Sequence, residues 1–320
     1  MDNILQLDIQ KKFTVRDIED LIRQVYNSQA EKVQIRLPRN LEAKFFNRSW
    51  IVSLLATVAR DRMLYVTDWG KVNTDVEDAL PRFETHVEGL ASLEYAAKIQ
   101  NEKEEKIDLD VIRIKKNLSM RDGIAEMPDE LRSSKHHQGR FNYITFCAFD
   151  NNDPDHNYPF PKALFSITNS RGSFINNFNK FTRNFLIHLH KFERGKAFGY
   201  STPRDIRDAL EDLAEFVFEI FENTHEHGCW NRENELIKGL RYVHLKRHHT
   251  NDKYELIGRA KGFSELEEYL NKTIPARKVS TFYEISISDN GIGIIDRFMT
   301  TKGKELEEKG LEKLGARHAN

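Results

Sequence analysis

Apolar residues in the first 70 positions alternate between strand-like and helix-like spacing. Short apolar runs at residues 4–9, 33–37 and 63–67 predict three strands. Between them, apolar residues at every third or fourth position predict two helices. The first helix begins after Thr14, whose spacing to Asp17 is typical of a helix cap. The order β-α-β-α-β indicates a small α/β unit.

This order resembles that of STAS domains, the fold of anti-sigma-factor antagonists. The strand over 33–37 leads through Asn47-Arg-Ser-Trp-Ile-Val-Ser-Leu-Leu into a helix. STAS domains usually carry an Asp-x-Ser-Gly-like segment where this chain has Leu37-Pro38-Arg39-Asn40, so we predict no phosphorylatable serine there. The alternative is a generic α/β module.

The middle of the chain contains the predicted domain boundaries. Residues 100–116 are dense in charge, and residues 133–140 form a polar stretch that contains histidine. A strand is predicted over 141–149 and an amphipathic helix over 174–192. We expect a small α/β domain over 1–85, a connecting mixed region over 86–165 and a C-terminal domain over 166–320.

Composition narrows the class of protein. The 320 residues include 49 Lys and Arg against 50 Asp and Glu, so no overall field favours nucleic acid or an anionic membrane. No apolar run approaches the roughly 20 residues that span a bilayer, and the N-terminus is unlike a secretory signal. Two cysteines exclude a disulfide framework. We therefore expect a globular cytoplasmic protein.

A long helix is predicted from Thr202-Pro203-Arg204-Asp205, which combines a capping threonine, a first-turn proline and a first-turn acid. It should end at Gly228. Its predicted buried stripe consists of Ile206, Leu210, Leu213, Val217, Ile220 and Thr224. The other faces carry Glu215, Glu219, Glu222, Asn223 and Glu226.

Two of these polar residues have the chemistry of a metal site. Glu219 and Asn223 are four residues apart, which places a carboxylate and an amide oxygen side by side on a helix. Together with phosphate groups, such oxygens can hold a hydrated Mg²⁺ ion. The alternative is a solvated acidic face.

A second signal lies in Phe282-Tyr-Glu-Ile-Ser-Ile-Ser-Asp-Asn-Gly-Ile-Gly-Ile294. Alternation predicts a strand in which Asp289 shares a face with the apolar Ile285 and Ile287. A carboxylate at the edge of a core needs hydrogen-bond donors, and the exocyclic amine of adenine is one such donor. Gly291 and Gly293 let the backbone turn tightly and approach a ligand.

Glu-x-x-x-Asn late in a long helix, followed by strand-Asp-x-Gly-x-Gly, resembles the N-box and first glycine box of the GHKL ATPases. This superfamily includes gyrase, heat-shock chaperones, histidine kinases and mismatch-repair ATPases. Asn223-Thr-His-Glu-His-Gly228 is similar to the Asn-Ala-x-Glu-His endings of kinase-like members. The resemblance covers about residues 200–305 and implies a C-terminal α/β sandwich with helices packed on a mixed sheet.

The resemblance also implies roles for individual residues in binding ATP and Mg²⁺. Asn223 would ligate the Mg²⁺ that bridges the phosphates, and Glu219 would act as general base toward water. Asp289 would read adenine beside Gly291 and Gly293. The same comparison places Glu226, His227 and Lys302 among the nucleotide-binding residues, with Lys302 in a lid over the phosphates.

The chain departs from the family after this lid. Residues 309–315 resemble the second glycine-rich box only loosely, so we expect a domain that is incomplete at its C-terminal end. The implied function is a Mg²⁺-dependent ATPase whose cycle switches the N-terminal domain, a protein partner or a homodimer. The alternative is a nucleotide-sensing regulator without hydrolysis, or a protein serine kinase like the anti-sigma-factor kinases.

Three further interpretations are less well supported by the residues. His188 and His190 lack the acidic and basic neighbours of a phosphoacceptor histidine. A zinc site at His225, His227 and Cys229 would need two histidines from different sides of one helix. The basic run at residues 246–249 has no aromatic platform and is typical of solvated surface, so nucleic-acid binding is not predicted.

Overall fold

The computed structural model describes residues 3–38, 45–68, 87–101, 103–109, 124–126, 142–150, 165–168, 171–174, 178–193, 204–228, 239–250, 252–274, 280–289 and 291. These residues form a mixed α/β fold. The helices are α1 (Val15–Asn27), α2 (Asn47–Asp61), α3 (Val87–Tyr95), α4 (Phe178–Glu193), α5 (Arg204–His227), α6 (Lys253–Ala260) and α7 (Ser264–Thr273). The strands are β1 (Ile4–Asp8), β2 (Lys32–Leu37), β3 (Met63–Asp68), β4 (Lys98–Gln100), β5 (Lys106–Ile107), β6 (Ile124–Glu126), β7 (Asn142–Asp150), β8 (Phe165–Thr168), β9 (Arg171–Phe174), β10 (Gly239–Thr250) and β11 (Ser280–Ser288).

The N-terminal unit, which consists of β1–β5 with α1–α3, contains a five-stranded sheet in the order β1-β2-β3-β4-β5. The first four strands are parallel and β5 is antiparallel to β4. The predicted β-α-β-α-β order is confirmed. The predicted cap of α1 is also present, because Asp17 N–H donates to Thr14 Oγ1 and Thr14 N–H donates to Asp17 Oδ2.

A second sheet, which we call the C-terminal sheet, has the order β11-β10-β7-β6. Its described strand pairs are all antiparallel, whereas the family resemblance implies a mixed sheet. The strand predicted over 141–149 is confirmed as β7. The helix predicted from residue 174 begins at Phe178 instead, because β9 pairs with β8 as a hairpin just before it.

The C-terminal sheet is covered by helices on both faces. Its strand β10 places Val243 and Leu245 in a core with residues of α4 and α5, including Phe181 and Phe221. Alternate residues on β10 face the opposite way, and Tyr242 is buried in the core of the N-terminal unit. The two parts of the chain therefore share β10 as a common layer.

A hydrogen bond between side chain and backbone holds α3 against β10. The Tyr95 hydroxyl at the end of α3 accepts a hydrogen bond of 2.9 Å from the Leu240 amide. Arg48 at the start of α2 pairs with Glu88 in α3. The N-terminal unit is thus packed directly on the sheet whose strand β11 ends one residue before Asp289.

Candidate functional site

The outer face of α5 carries the two residues predicted to hold Mg²⁺. Glu219 and Asn223 are both exposed, as are Glu215 and Phe216. Asn223 Nδ2 donates a hydrogen bond of 2.9 Å to the backbone oxygen of Glu219. This bond uses the amide nitrogen, so the oxygen of the Asn223 side chain is the atom with the chemistry of a Mg²⁺ ligand.

The inner face of α5 is buried against the C-terminal sheet, as predicted, but the stripe is richer in aromatic residues than expected. Val217 and Thr224 are buried as predicted, whereas Leu210, Leu213 and Ile220 are only half-buried. The other buried residues of this face are Ala214, Phe218 and Phe221. A helix held by so many large side chains fixes the position of its last turn.

The last turn of α5 meets the end of β11 through two glycines. Gly228 closes the helix by donating its N–H to the Thr224 oxygen at 2.8 Å. A Cβ atom at Gly228 would lie 2.5 Å from Asp289 Cγ, and one at Gly291 would lie 2.5 Å from the Gly228 carbonyl carbon. Real Cβ atoms do not approach so closely. Both positions therefore require glycine for the helix end and the strand end to touch.

Asp289 is held in a compact turn at this contact. Its Oδ1 atom accepts a hydrogen bond of 3.1 Å from the Gly291 amide. Ile285 and Ile287, on the same face of β11, pack against the core of α4 and α5, which agrees with the predicted alternation. A half-buried carboxylate is thereby fixed at the edge of an apolar core. This is a suitable place to accept a hydrogen bond from a planar heterocycle.

Several predicted site residues lie outside the part of the chain that the structure describes. Glu226 and His227 belong to the last turn of α5, but their side chains are among those not described. Gly293 and Lys302 lie beyond residue 291 and are not described either. The zinc interpretation involves the same undescribed region. Among the described side chains, no group of three or more His, Cys, Asp or Glu residues could hold a metal ion.

A buried arginine beneath α5 was missed at the sequence level. The Arg241 side chain is 1% exposed, and its guanidinium carbon lies 5.7 Å from the centre of the Phe221 ring. Arg241 precedes Tyr242, which pairs with Ser288, so it lies on the same end of the sheet as Asp289. The sequence does contain an indication of this burial, because Arg241 alternates with Val243 and Leu245 and therefore lies on the same apolar face of β10.

The opposite face of the C-terminal sheet contains a cluster that contradicts one prediction. The basic run at residues 246–249 was expected to be solvated, yet Lys246 and His248 are buried. His248 Nε2 is hydrogen-bonded to Glu284 Oε2 at 2.8 Å, and Lys246 Nζ lies 3.7 Å from the same oxygen. The prediction was wrong because the N-terminal unit and α6 cover this face. We call Lys246, His248 and Glu284 the ionic cluster.

Burial alters the acid–base properties of this face. It lowers the pKa of Lys246 and of His248, although Glu284 opposes both effects. Burial alone would raise the pKa of Glu284, but Lys246 and His248 hold it below its usual range. Next to the cluster, burial lowers the pKa of His244 to about 3, and its Nδ1 is hydrogen-bonded to Thr145 Oγ1 at 2.7 Å.

The low pKa of His244 predicts a loss of stability in mild acid. Between pH 6.5 and about 3, the unfolded chain binds a proton at His244 that the folded protein does not bind. The free energy of unfolding should therefore fall by up to about 1.4 kcal/mol per pH unit from this residue as the pH decreases. Urea unfolding at pH 7, 6 and 5 measures this slope.

The matched variant is His244→Asn, which keeps a hydrogen-bonding group near Thr145 but cannot be protonated. Its stability should depend less steeply on pH than that of the wild type, whatever its stability at pH 7. Parallel slopes in the two proteins would show that His244 does not cause the effect.

Comparisons with known proteins do not add to this picture. No family model, no curated protein and no solved structure matches the chain. Within the residues that the structure describes, no helix is both long and apolar enough to cross a membrane.

Proposed function

We propose that the chain is a Mg²⁺-dependent ATP-binding protein with a GHKL-type domain over residues 166–320. The observation that carries this proposal is the glycine contact between the end of α5 and the Asp289 turn. The N-box-like residues lie on α5, and the glycine-box-like residues follow β11. The contact of Gly228 with Asp289 brings the ends of these two elements together, which supports a single site built from both.

Individual residues take the following roles in this proposal. Asp289 accepts a hydrogen bond from the adenine amine, and Gly291 and Gly293 let the backbone approach the base. The Asn223 side-chain oxygen would hold Mg²⁺, and a metal ion there would supply positive charge to offset that of the phosphates. Glu219, one turn earlier on α5, accepts a proton from the water that attacks the terminal phosphate, whose bond to the ADP oxygen breaks so that ADP leaves. Lys302, Glu226 and His227 complete the nucleotide contacts.

In this proposal, the nucleotide cycle switches the N-terminal unit or a protein partner. The N-terminal unit packs on the sheet whose strand β11 leads into the Asp289 turn, so a nucleotide-dependent movement of that sheet can reach this unit or a protein partner. A second candidate is a regulator that senses ATP or transfers its phosphate to a protein serine. The exposed position of Glu219 favours this second candidate, because a general base usually needs a site that excludes bulk water.

Replacing Gly228 with alanine tests the contact on which the proposal depends. The new methyl group would lie 2.6 Å from Asp289 Oδ2, so the carboxylate has to move. Overpacking of this kind costs about 1–3 kcal/mol, which corresponds to roughly 5- to 150-fold weaker ATP binding if the Asp289 turn absorbs it. Calorimetric titration of ATP in the presence of Mg²⁺ measures the change.

Gly258→Ala is the matched control. No atom lies within 4 Å of a Cβ built at Gly258, which is inside α6. This variant should bind ATP like the wild type and gain about 0.5–1 kcal/mol of stability from the removal of a helical glycine. If Gly228→Ala folds and binds ATP as tightly as Gly258→Ala, the contact does not form part of a nucleotide site.

A further inference from the structure

The hairpin formed by α6 and α7 is inserted between β10 and β11, and it packs on the N-terminal unit. Phe45, just before α2, is buried in one small core with residues of the hairpin. Its amide donates a hydrogen bond of 3.1 Å to the Arg259 backbone oxygen in α6. The neighbouring Phe46 ring packs edge-on against Phe263 at 5.9 Å. The hairpin therefore holds the residues that begin α2.

The ionic cluster links this contact to β11. The Phe45 ring lies 4.1 Å from the His248 ring, measured between centroids. Arg259 Nη1 lies 3.4 Å from His248 Nδ1, while the other nitrogen of that ring contacts Glu284. A continuous series of buried contacts thus runs from Phe45 through His248 to Glu284 on β11.

Strand β11 connects the ionic cluster to the Asp289 turn. Glu284 and Ser286 face the N-terminal side and are buried, while Ile285 and Ile287 face α5. A shift of β11 along or about its axis would move both faces together, because the side chains of the two faces alternate along one covalent backbone. We expect Glu284 to keep its contacts with Lys246 and His248, because leaving a buried charge without its partner is costly.

The hairpin contact also stores backbone strain. Phe46 has φ of 58° and ψ of 4°, the left-handed region that a bulky residue rarely adopts. Such a conformation is energetically unfavourable for a bulky residue and persists only when the surroundings hold it. Release of Phe45 and Phe46 from the hairpin would relieve this strain. The docked and released states are therefore closer in free energy than the buried contacts alone suggest.

We propose that the hairpin and the ionic cluster couple the Asp289 turn to the docking of α2, so that a ligand at Asp289 strengthens the hold on residues 45–61. This inference rests on the proposed function only in that ATP is the ligand. The partner of the site is thus the protein's own N-terminal unit, and the ionic cluster is the positioning element between them.

Hydrogen exchange measured by mass spectrometry on the full chain, with and without ATP and Mg²⁺, tests the coupling. In the wild type, ATP should slow exchange at residues 280–289, where it binds, and at residues 45–61, which are coupled. Coupling free energies between sites correspond to about 5- to 150-fold, so we expect about tenfold slower exchange over 45–61.

The uncoupling variant is Lys246→Met with Glu284→Gln. It removes both charges together and keeps similar side-chain volumes, which avoids the cost of one unpaired buried charge. ATP should still protect residues 280–289 in this variant but should no longer affect 45–61. Glu268→Gln is the control, because it removes a charge from the exposed Glu268–Lys272 pair of the same hairpin and should behave like the wild type.

The possible results separate the two proposals. Protection of 280–289 without protection of 45–61 in the wild type would overturn the coupling and leave nucleotide binding intact. Equal protection of 45–61 in the wild type and in the double variant would also overturn the role of the ionic cluster. If ATP protects neither segment of the wild type, the proposed function fails and the coupling fails with it.

Discussion

Glu219→Ala should leave ATP bound and lower the rate of ATP hydrolysis by about 10²- to 10⁴-fold, the usual contribution of a general base. The reason is positional: Glu219 lies one turn before Asn223 on the outer face of α5, and the Asn223 amide is hydrogen-bonded to its backbone. The side chain of Glu219 itself takes no part in that bond. Its removal should therefore not disturb the helix, and steady-state phosphate release measures the loss.

Glu215→Ala is the control for this experiment. Glu215 is exposed on the same helix, one turn earlier, and carries the same charge. Its removal changes the local electrostatic field in a similar way. Equal losses of hydrolysis rate in the two variants would therefore mean that the negative charge, and not proton transfer, is responsible. Unchanged hydrolysis in Glu219→Ala would remove Glu219 from the mechanism. A wild type that binds ATP without turnover would favour the nucleotide-sensing regulator.

The N-terminal unit could be predicted well from the sequence because its signals are local. Apolar spacing marked its strands and helices, and the Thr14–Asp17 pair marked the start of α1. The beginning of α2 was not predictable in the same way. Phe46 adopts a left-handed conformation there because the distant α6–α7 hairpin holds its ring. No local pattern reports such a constraint.

In the candidate site, too, the local features could be predicted from the sequence, whereas the tertiary contacts could not. The alternation along β11 correctly placed Ile285 and Ile287 on one face, although the strand ends at Ser288, directly before Asp289. The end of α5 at Gly228 was also predicted, from the glycine itself. The contact between Gly228 and Asp289 could not be predicted, because it depends on how a helix and a strand far apart in sequence pack together.

The ionic cluster is the clearest case of a tertiary effect that overrides local composition. Lys246 and His248 belong to a run of basic residues that is typical of a solvated strand. They are buried because α6 and the N-terminal unit cover that face of β10, and Glu284 supplies the compensating charge. The apolar residues Leu240 and Tyr242, in phase with Lys246 and His248 on β10, are a local indication of a second buried face.

Asp289→Asn should weaken ATP binding by at least about 100-fold, because a site that hydrogen-bonds a particular ligand group discriminates strongly once that bond can no longer form. The substitution is nearly isosteric. Asparagine keeps an oxygen that can accept the hydrogen bond from Gly291, so the turn should persist. The other position becomes an N–H donor, which would face the adenine amine, itself a donor. Recognition should fail while the fold is kept.

Asp252→Asn is the matched control for that variant. Asp252 also accepts a hydrogen bond from the amide two residues later, in this case Tyr254, and it caps α6. Asparagine caps helices about as well as aspartate does, so this variant should be as stable as the wild type and should bind ATP equally well. This control distinguishes the effect of losing the Asp289 carboxylate on ATP binding from the effect of replacing an aspartate that forms a similar turn elsewhere.

Calorimetric titration of ATP with Mg²⁺ into the wild type, Asp289→Asn and Asp252→Asn is the most direct test of the nucleotide site. The account predicts saturable binding to the wild type and to Asp252→Asn, and no measurable binding to folded Asp289→Asn. Equal affinity of the wild type and Asp289→Asn, or absence of binding to the wild type, would contradict it.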